Sequence, residues 1–318
     1  MEYRFCGNSG LRLPLVSLGM WHNFGDVDDF GTAQRIVWRA FEQGVTHFDL
    51  ANNYGPPPGS AESNFGKMLR DGFSAHRDEI IVSSKAGHLM WDGPYGDGGS
   101  RKYIMASIDQ SLRRTGLEYF DIFYSHRYCP ETPLEETMQA LIDIVRQGKA
   151  LYIGLSKYPA DVAVEACRIC REQHVRVLIY QDKYNMLVRR PEERHFDMVR
   201  RQGLGFIAFS PLAQGLLTNR YLNGIPADSR IAKSGVFLHR EDVTPTLVAR
   251  LKRLDTMARD RGQSLAQMSL SWLLAKESLT SVIIGASSAA QLDDNLAAVN
   301  NINFSEEELR QIDEILNS

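Results

Sequence analysis

Hydrophobic runs long enough to cross a bilayer are absent: no stretch approaches the roughly 18 consecutive apolar residues a spanning helix needs. Cysteine is scarce. Four in 318 residues cannot staple a fold of this length, so a reducing, cytoplasmic setting is the expectation. The leading Met1-Glu2-Tyr3-Arg4 offers no apolar signal region. An excess of one charge is also lacking. With 36 Lys and Arg against 39 Asp and Glu, the net charge is −3, which gives nucleic acid or an anionic membrane no broad basic field. Two of the cysteines form Cys167-x-x-Cys170, but within Val162–Cys170, which reads as helix. Residues three apart share a helix face, and small thiols there read as core, since a redox pair favours a strand-to-helix turn.

What is present is 43% apolar content distributed in a regular alternation of short apolar runs and amphipathic stretches. Residues 3–13 hold a polar turn, Gly7-Asn8-Ser9-Gly10, and predict a hairpin. Strands are then expected at 16–20, 47–50, 79–85, 120–125, 150–155, 175–180, 205–209 and 281–285. Helices are expected at 32–43, 61–70, 102–115, 133–147, 160–173, 191–201, 245–261, 264–276, 289–299 and 305–316. The last opens with Ser305 and Glu308 at capping-box spacing. A Gly-rich loop spans 87–100, and a long polar connection spans 213–244. Eight strand–helix units without a linker predict one α/β domain over residues 1–318, a (β/α)8 TIM barrel with an N-terminal β-hairpin and extra C-terminal helices. An open doubly wound sheet is the alternative. It would carry G-x-G-x-x-G after its first strand, and Gly19-Met20-Trp21-His22-Asn23-Phe24-Gly25 does not.

In such a barrel the chemistry gathers where the strands end. Thr46-His47-Phe48-Asp49-Leu50-Ala51-Asn52-Asn53-Tyr54-Gly55 closes a buried strand with an acid, and a phenol follows five residues on. The other strand ends contribute Trp21 and His22, Lys85, His126, Ser156, Gln181, Phe209 with Ser210, and Ser287. A buried Asp49 requires a cation, and Lys85 can be that partner. The same ammonium beside Tyr54 would lower the phenol's pKa and let it protonate a developing alkoxide. His126 could orient the carbonyl oxygen.

Asp49, Tyr54, Lys85 and His126 resemble the catalytic tetrad of the aldo-keto reductases, and the likeness runs along essentially the whole chain. Asn52-Asn53-Tyr54-Gly55-Pro56-Pro57-Pro58-Gly59-Ser60-Ala61-Glu62 and Gly98-Gly99-Ser100-Arg101-Lys102-Tyr103 resemble the branch that holds bacterial L-glyceraldehyde 3-phosphate reductases and voltage-gated potassium-channel β subunits. The resemblance implies NADPH-dependent reduction of a small aldehyde. It places Trp21, Asp49, Ser156, Gln181, Phe209, Ser210, Leu212, Gln214, Gly215 and Leu217 on the nicotinamide and pyrophosphate, and Gly285, Ser287, Gln291, Asp294 and Asn295 on the adenosine phosphate. It also implies a homo-oligomer, a tetramer or octamer. This chain departs from the pattern at Lys157, where many members carry Asn, and at Gly285 and Gln291, where other branches carry Lys and Arg. Arg220 and Arg230 are therefore the candidates for the 2′-phosphate, against a reading as surface charge.

Cations near the rim suit an anionic substrate. Arg101 and Arg127, with Trp21, Trp91, Tyr54 and His126, are the expected substrate contacts, for a triose phosphate or a methylglyoxal-like aldehyde. The competing readings are an exposed helix-start residue for Arg101 and a core ring for Trp91. Three rivals remain: a redox-sensing binding subunit, a Schiff-base lyase with Lys85 as nucleophile, and a metal hydrolase. The last starts from His47 and Asp49 on one strand face but lacks ligands on the other strands. No metal is expected, and His47 reads as a core histidine.

Overall fold

The computed structural model describes residues 1–226 and 238–318. Strands β1 (Tyr3–Phe5) and β2 (Arg12–Pro14) form an antiparallel hairpin. Eight parallel strands then close into a barrel: β3 (Val16–Gly19), β4 (His47–Asp49), β5 (Ile81–Ala86), β6 (Phe120–Ser125), β7 (Ala150–Ser156), β8 (Val177–Lys183), β9 (Gly205–Phe209) and β10 (Ser281–Ile284), with β10 pairing β3. The strands are buried on both faces, as a parallel barrel with an outer helix ring demands. Along β6 the side chains divide by face: Ile122 and Tyr124 join Leu178, Ile179, Ile207 and Ile283 in one cluster, and Phe123 packs in the other. Cys6 and Leu13 complete the first cluster, so the hairpin contributes to that core. Gly154 has a specific role there. A Cβ at that position would lie 2.2 Å from the Tyr124 ring, so only glycine lets the ring cross β7.

The helices α1 (Phe30–Glu42), α2 (Ser60–Met68), α3 (Arg101–Thr115), α4 (Leu134–Arg146), α5 (Ala160–Glu172) and α6 (Pro191–Gln202) alternate with the strands. Beyond β9 come α7 (Pro245–Asp260), α8 (Leu265–Leu274), α9 (Ala289–Leu296) and α10 (Glu306–Asn317). Their ends follow local chemistry. Ser100 caps α3 by accepting from the Tyr103 amide, Gly116 closes it in the left-handed region, and Ser305 with Glu308 forms the expected capping box.

Several boundaries shift by a few residues, two of them for a clear local reason. The 175–180 strand begins later and runs further, to Lys183, because the Val175 amide is spent on Cys170 O at the end of α5. Gln181 therefore sits within a strand. The 61–70 helix continues through a wider turn, Leu69–Phe73, where Gly72 takes φ 147° beneath the Trp38 ring. Cys167 and Cys170 are buried free thiols on α5, and burial raises them to about 11 and about 12. They belong to the core.

Candidate active site

β4 ends in Asp49 and β5 carries Lys85 two residues past the Asp49–Ser83 register pair. The Lys85 Nζ lies 2.6 Å from Asp49 Oδ2 and donates to Leu50 O at 2.6 Å and to the Tyr54 hydroxyl at 3.4 Å. Lys85 is 0% exposed and Asp49 2%, a desolvation that the ion pair and its extra hydrogen bonds offset. Ser83 Oγ donates to Asp49 Oδ1 at 2.7 Å, and Gln181 Nε2 approaches the same oxygen at 3.3 Å. His126 follows β6, its ring edge-on to Tyr54 at 5.9 Å; Trp21 approaches Tyr54 from β3 at 6.3 Å. Groups delivered by β3, β4, β5 and β6 thus share one end of the barrel.

One expectation is corrected. Tyr54 was expected to have a lowered pKa, yet its phenol is raised well above the ordinary value, first by burial and second by the Asp49 carboxylate. The reason is geometric: the ammonium is closer to the carboxylate (2.6 Å) than to the phenol (3.4 Å), and at Tyr54 burial and the carboxylate outweigh it. Tyr54 keeps its proton. Burial also lowers Lys85, with Asp49 opposing. An ammonium held by two short hydrogen bonds and shut from solvent is a poor Schiff-base nucleophile. His126 is held well below the usual imidazole range by burial, then by Lys85 and Lys157, so the ring is neutral.

His47 is fully buried, with Nδ1 2.9 Å from Ser17 Oγ and Nε2 3.0 Å from Ser83 Oγ. Since Ser83 gives its proton to Asp49, His47 Nε2–H must donate to Ser83 and Nδ1 must accept from Ser17. The imidazole is a core group that supports Asp49. Among the described residues no group of three or more His, Cys, Asp or Glu could hold a metal.

The residues expected on a nucleotide fall in two places. Ser156 closes β7 with a buried Oγ that has no partner, and half-buried Phe209 closes β9. Ser210, Ala213 and Gln214 follow with φ of 52°, 47° and 60°, a cluster of left-handed non-glycine residues that marks a shaped loop. Leu212 O accepts the amides of Gly215 and Leu217, and the Leu217 side chain lies in the core. At the second place a Cβ on Gly285 would meet nothing within 4 Å, and buried Asn295 Nδ2 is unpartnered. Open space and orphaned polar atoms are what a bound dinucleotide would fill, so these residues fit one. Two details run against the direct contacts expected here. Gln291 Oε1 accepts from both the amide (2.8 Å) and the hydroxyl (2.9 Å) of Ser287, and Asp294 accepts from Gln267 at 2.9 Å. Arg220 is exposed on a turn, and Arg230 lies outside the described residues.

The two expected substrate cations both sit in ion pairs. Arg101 pairs with Asp143 on α4 at 2.6 Å, and Arg127 is held by Gly87 O at 2.6 Å and Asp97 at 2.9 Å. Each guanidinium is already matched by a carboxylate. Trp91 is half-buried against Tyr103 at 5.3 Å, whose hydroxyl donates to His88 O at 2.5 Å. Two rim residues escaped the sequence reading. His88 lies edge-on to His126 at 4.5 Å, and Lys157 Nζ lies 2.7 Å from His88 Nε2. Lys157 stood out in sequence only as a departure from a pattern, and nothing in the Gly-rich loop singled out His88.

A model of the aldo/keto reductase family matches residues 15–317. L-glyceraldehyde 3-phosphate reductases of Escherichia coli O157:H7 and of Escherichia coli strain K12 are each 54% identical over 320 aligned positions, covering 99% of this chain and 92% of theirs. A probable voltage-gated potassium channel subunit beta of Oryza sativa subsp. japonica is 35% identical over 306, covering 94% of this chain and 91% of its own.

Proposed function

This chain belongs to the aldo/keto reductase family and is an oxidoreductase acting on carbonyl groups; from that premise we propose that it reduces a short, phosphorylated aldehyde to the alcohol with NADPH, Tyr54 giving the proton. The observation that carries this reading is the convergence of Asp49, Lys85, Tyr54 and His126 at one end of the barrel, with Lys85 joining the Asp49 carboxylate to the Tyr54 hydroxyl. L-glyceraldehyde 3-phosphate is the first substrate to test, methylglyoxal and related aldehydes the next.

When bound, the nicotinamide supplies the hydride. The chain's own residues do the remainder. Tyr54 stays protonated until a carbonyl oxygen begins to carry charge, then donates to it. The phenolate left behind has the Lys85 ammonium as its stabilising neighbour. Neutral His126 orients the same oxygen without a competing cation. Asp49, held by Ser83 and Gln181, fixes Lys85 so that proton loss from Tyr54 needs little rearrangement. Ser156 and Gln181 would take the carboxamide and Phe209 the ring face, with Arg220 and Arg230 serving the 2′-phosphate. A cytoplasmic homo-oligomer is part of the proposal; light scattering tests the subunit count.

The test is loss of NADPH absorbance with L-glyceraldehyde 3-phosphate, repeated for Tyr54→Phe. Wild-type turnover that disappears in the variant supports the reading, and retained turnover in the variant removes Tyr54 as donor. Likeness to the channel β subunit favours one alternative, a nicotinamide-sensing subunit, for which NADPH binding without useful turnover would speak.

A further inference from the structure

Lys157 combines three features that the reaction above does not use. It is half-buried on the rim, yet it makes no ion pair among the described residues. The nearest acid that favours its charge, Asp182, is taken by Arg190 at 2.9 Å. An ammonium has three donors, and the hydrogen bond to His88 uses one. His88 is itself a neutral acceptor, lowered to about 4 by burial and then by Lys157 and Arg127, so it supports the ammonium without neutralising it.

The backbone adds a second argument. Lys157 sits at φ 56°, a left-handed conformation that glycine and asparagine take readily and lysine does not. Strain of this kind persists where the surroundings enforce it and concentrates at functional sites. Location adds a third. Lys157 follows Ser156, whose buried hydroxyl is unpartnered, and its partner His88 lies edge-on to His126. A partly desolvated cation with spare donors is costly until an anion meets it.

We propose that Lys157, braced by His88, receives the phosphate of the short phosphorylated aldehyde whose carbonyl lies between Tyr54 and His126. This assignment rests on the reductase reading and takes the anion-binding role away from Arg101 and Arg127. Lys157 is then a specificity residue, discriminating phosphorylated from plain aldehydes.

Two measurements test it. First, kcat/KM is determined for L-glyceraldehyde 3-phosphate and for glyceraldehyde in wild type, Lys157→Met and Lys157→Arg. The ratio of the two values should fall about 10–100-fold in Lys157→Met, the worth of a charge-assisted hydrogen bond, and return in part in Lys157→Arg. KM for NADPH should not move. An unchanged ratio, or a loss expressed in KM for NADPH, overturns the assignment. Second, glycerol 3-phosphate and glycerol are titrated by calorimetry into the enzyme with NADP bound. Binding of the phosphate alone, lost in Lys157→Met, supports the subsite; its absence in wild type, or persistence in the variant, overturns it. Absence of NADPH oxidation with every aldehyde would instead sink the reductase reading, and the calorimetry would still decide the anion site.

Discussion

Acidification should expose the buried His47. The folded chain holds this imidazole neutral, with a pKa lowered from 6.5 to about 4, chiefly by burial. An unfolded chain returns it to about 6.5. Between those values the unfolded state binds the extra proton, so stability is full above pH ~6.5 and is lost as pH falls toward 4. Each unit is worth about 1.4 kcal/mol, so a displacement of this size removes about 3 kcal/mol over the window. The loss is large because the ring has no exposure and both nitrogens are committed, Nε2 donating to Ser83 and Nδ1 accepting from Ser17. Protonation would place a second N–H against the Ser17 hydroxyl, which now donates to Nδ1. The assay is urea unfolding of wild type and His47→Gln near pH 7 and near pH 4.5. Other carboxylates and histidines titrate in both proteins, so the comparison isolates this one. The variant should be the less stable at neutral pH but lose about 2–3 kcal/mol less on acidification. Equal losses in the two proteins would refute the reasoning.

Other expectations bear on the rim. Tyr54→Phe should bind NADPH as wild type does while aldehyde reduction falls by about 10²–10⁴-fold; stopped-flow fluorescence separates binding from turnover. Because the phenol is raised rather than lowered, reduction should be flat through neutral pH while alcohol oxidation, which requires Tyr54 to lose its proton, climbs toward alkaline pH. Equal pH profiles in the two directions would contradict this. Lys85→Met strands Asp49 without its cation and should cost about 3–5 kcal/mol at neutral pH, read as the urea midpoint; a loss under about 1 kcal/mol would mean that the pair is not held as described. Replacing Arg220 and Arg230 by Ala should raise KM for NADPH and leave KM for NADH nearly unchanged, whereas equal shifts would remove both from the 2′-phosphate.

Local pattern alone carried a good deal. Apolar runs alternating with amphipathic helices were enough to specify a closed parallel barrel, because strand and helix periods are properties of neighbouring residues. Reading only the strand ends brought Asp49, Lys85 and His126 to one face, since a barrel collects those ends irrespective of their separation along the chain. Tertiary packing decided the rest. Whether Lys85 acidifies Tyr54 or is spent on Asp49 depends on 2.6 Å against 3.4 Å, a difference no spacing encodes. Arg101 and Arg127 seemed equivalent to any cation until Asp143 and Asp97 met them, and Lys157 gained its interest only when β7 set it against His88. Burial and partnership are set by segments distant in sequence, and it is they that fix how strongly each of these groups holds its proton or its charge.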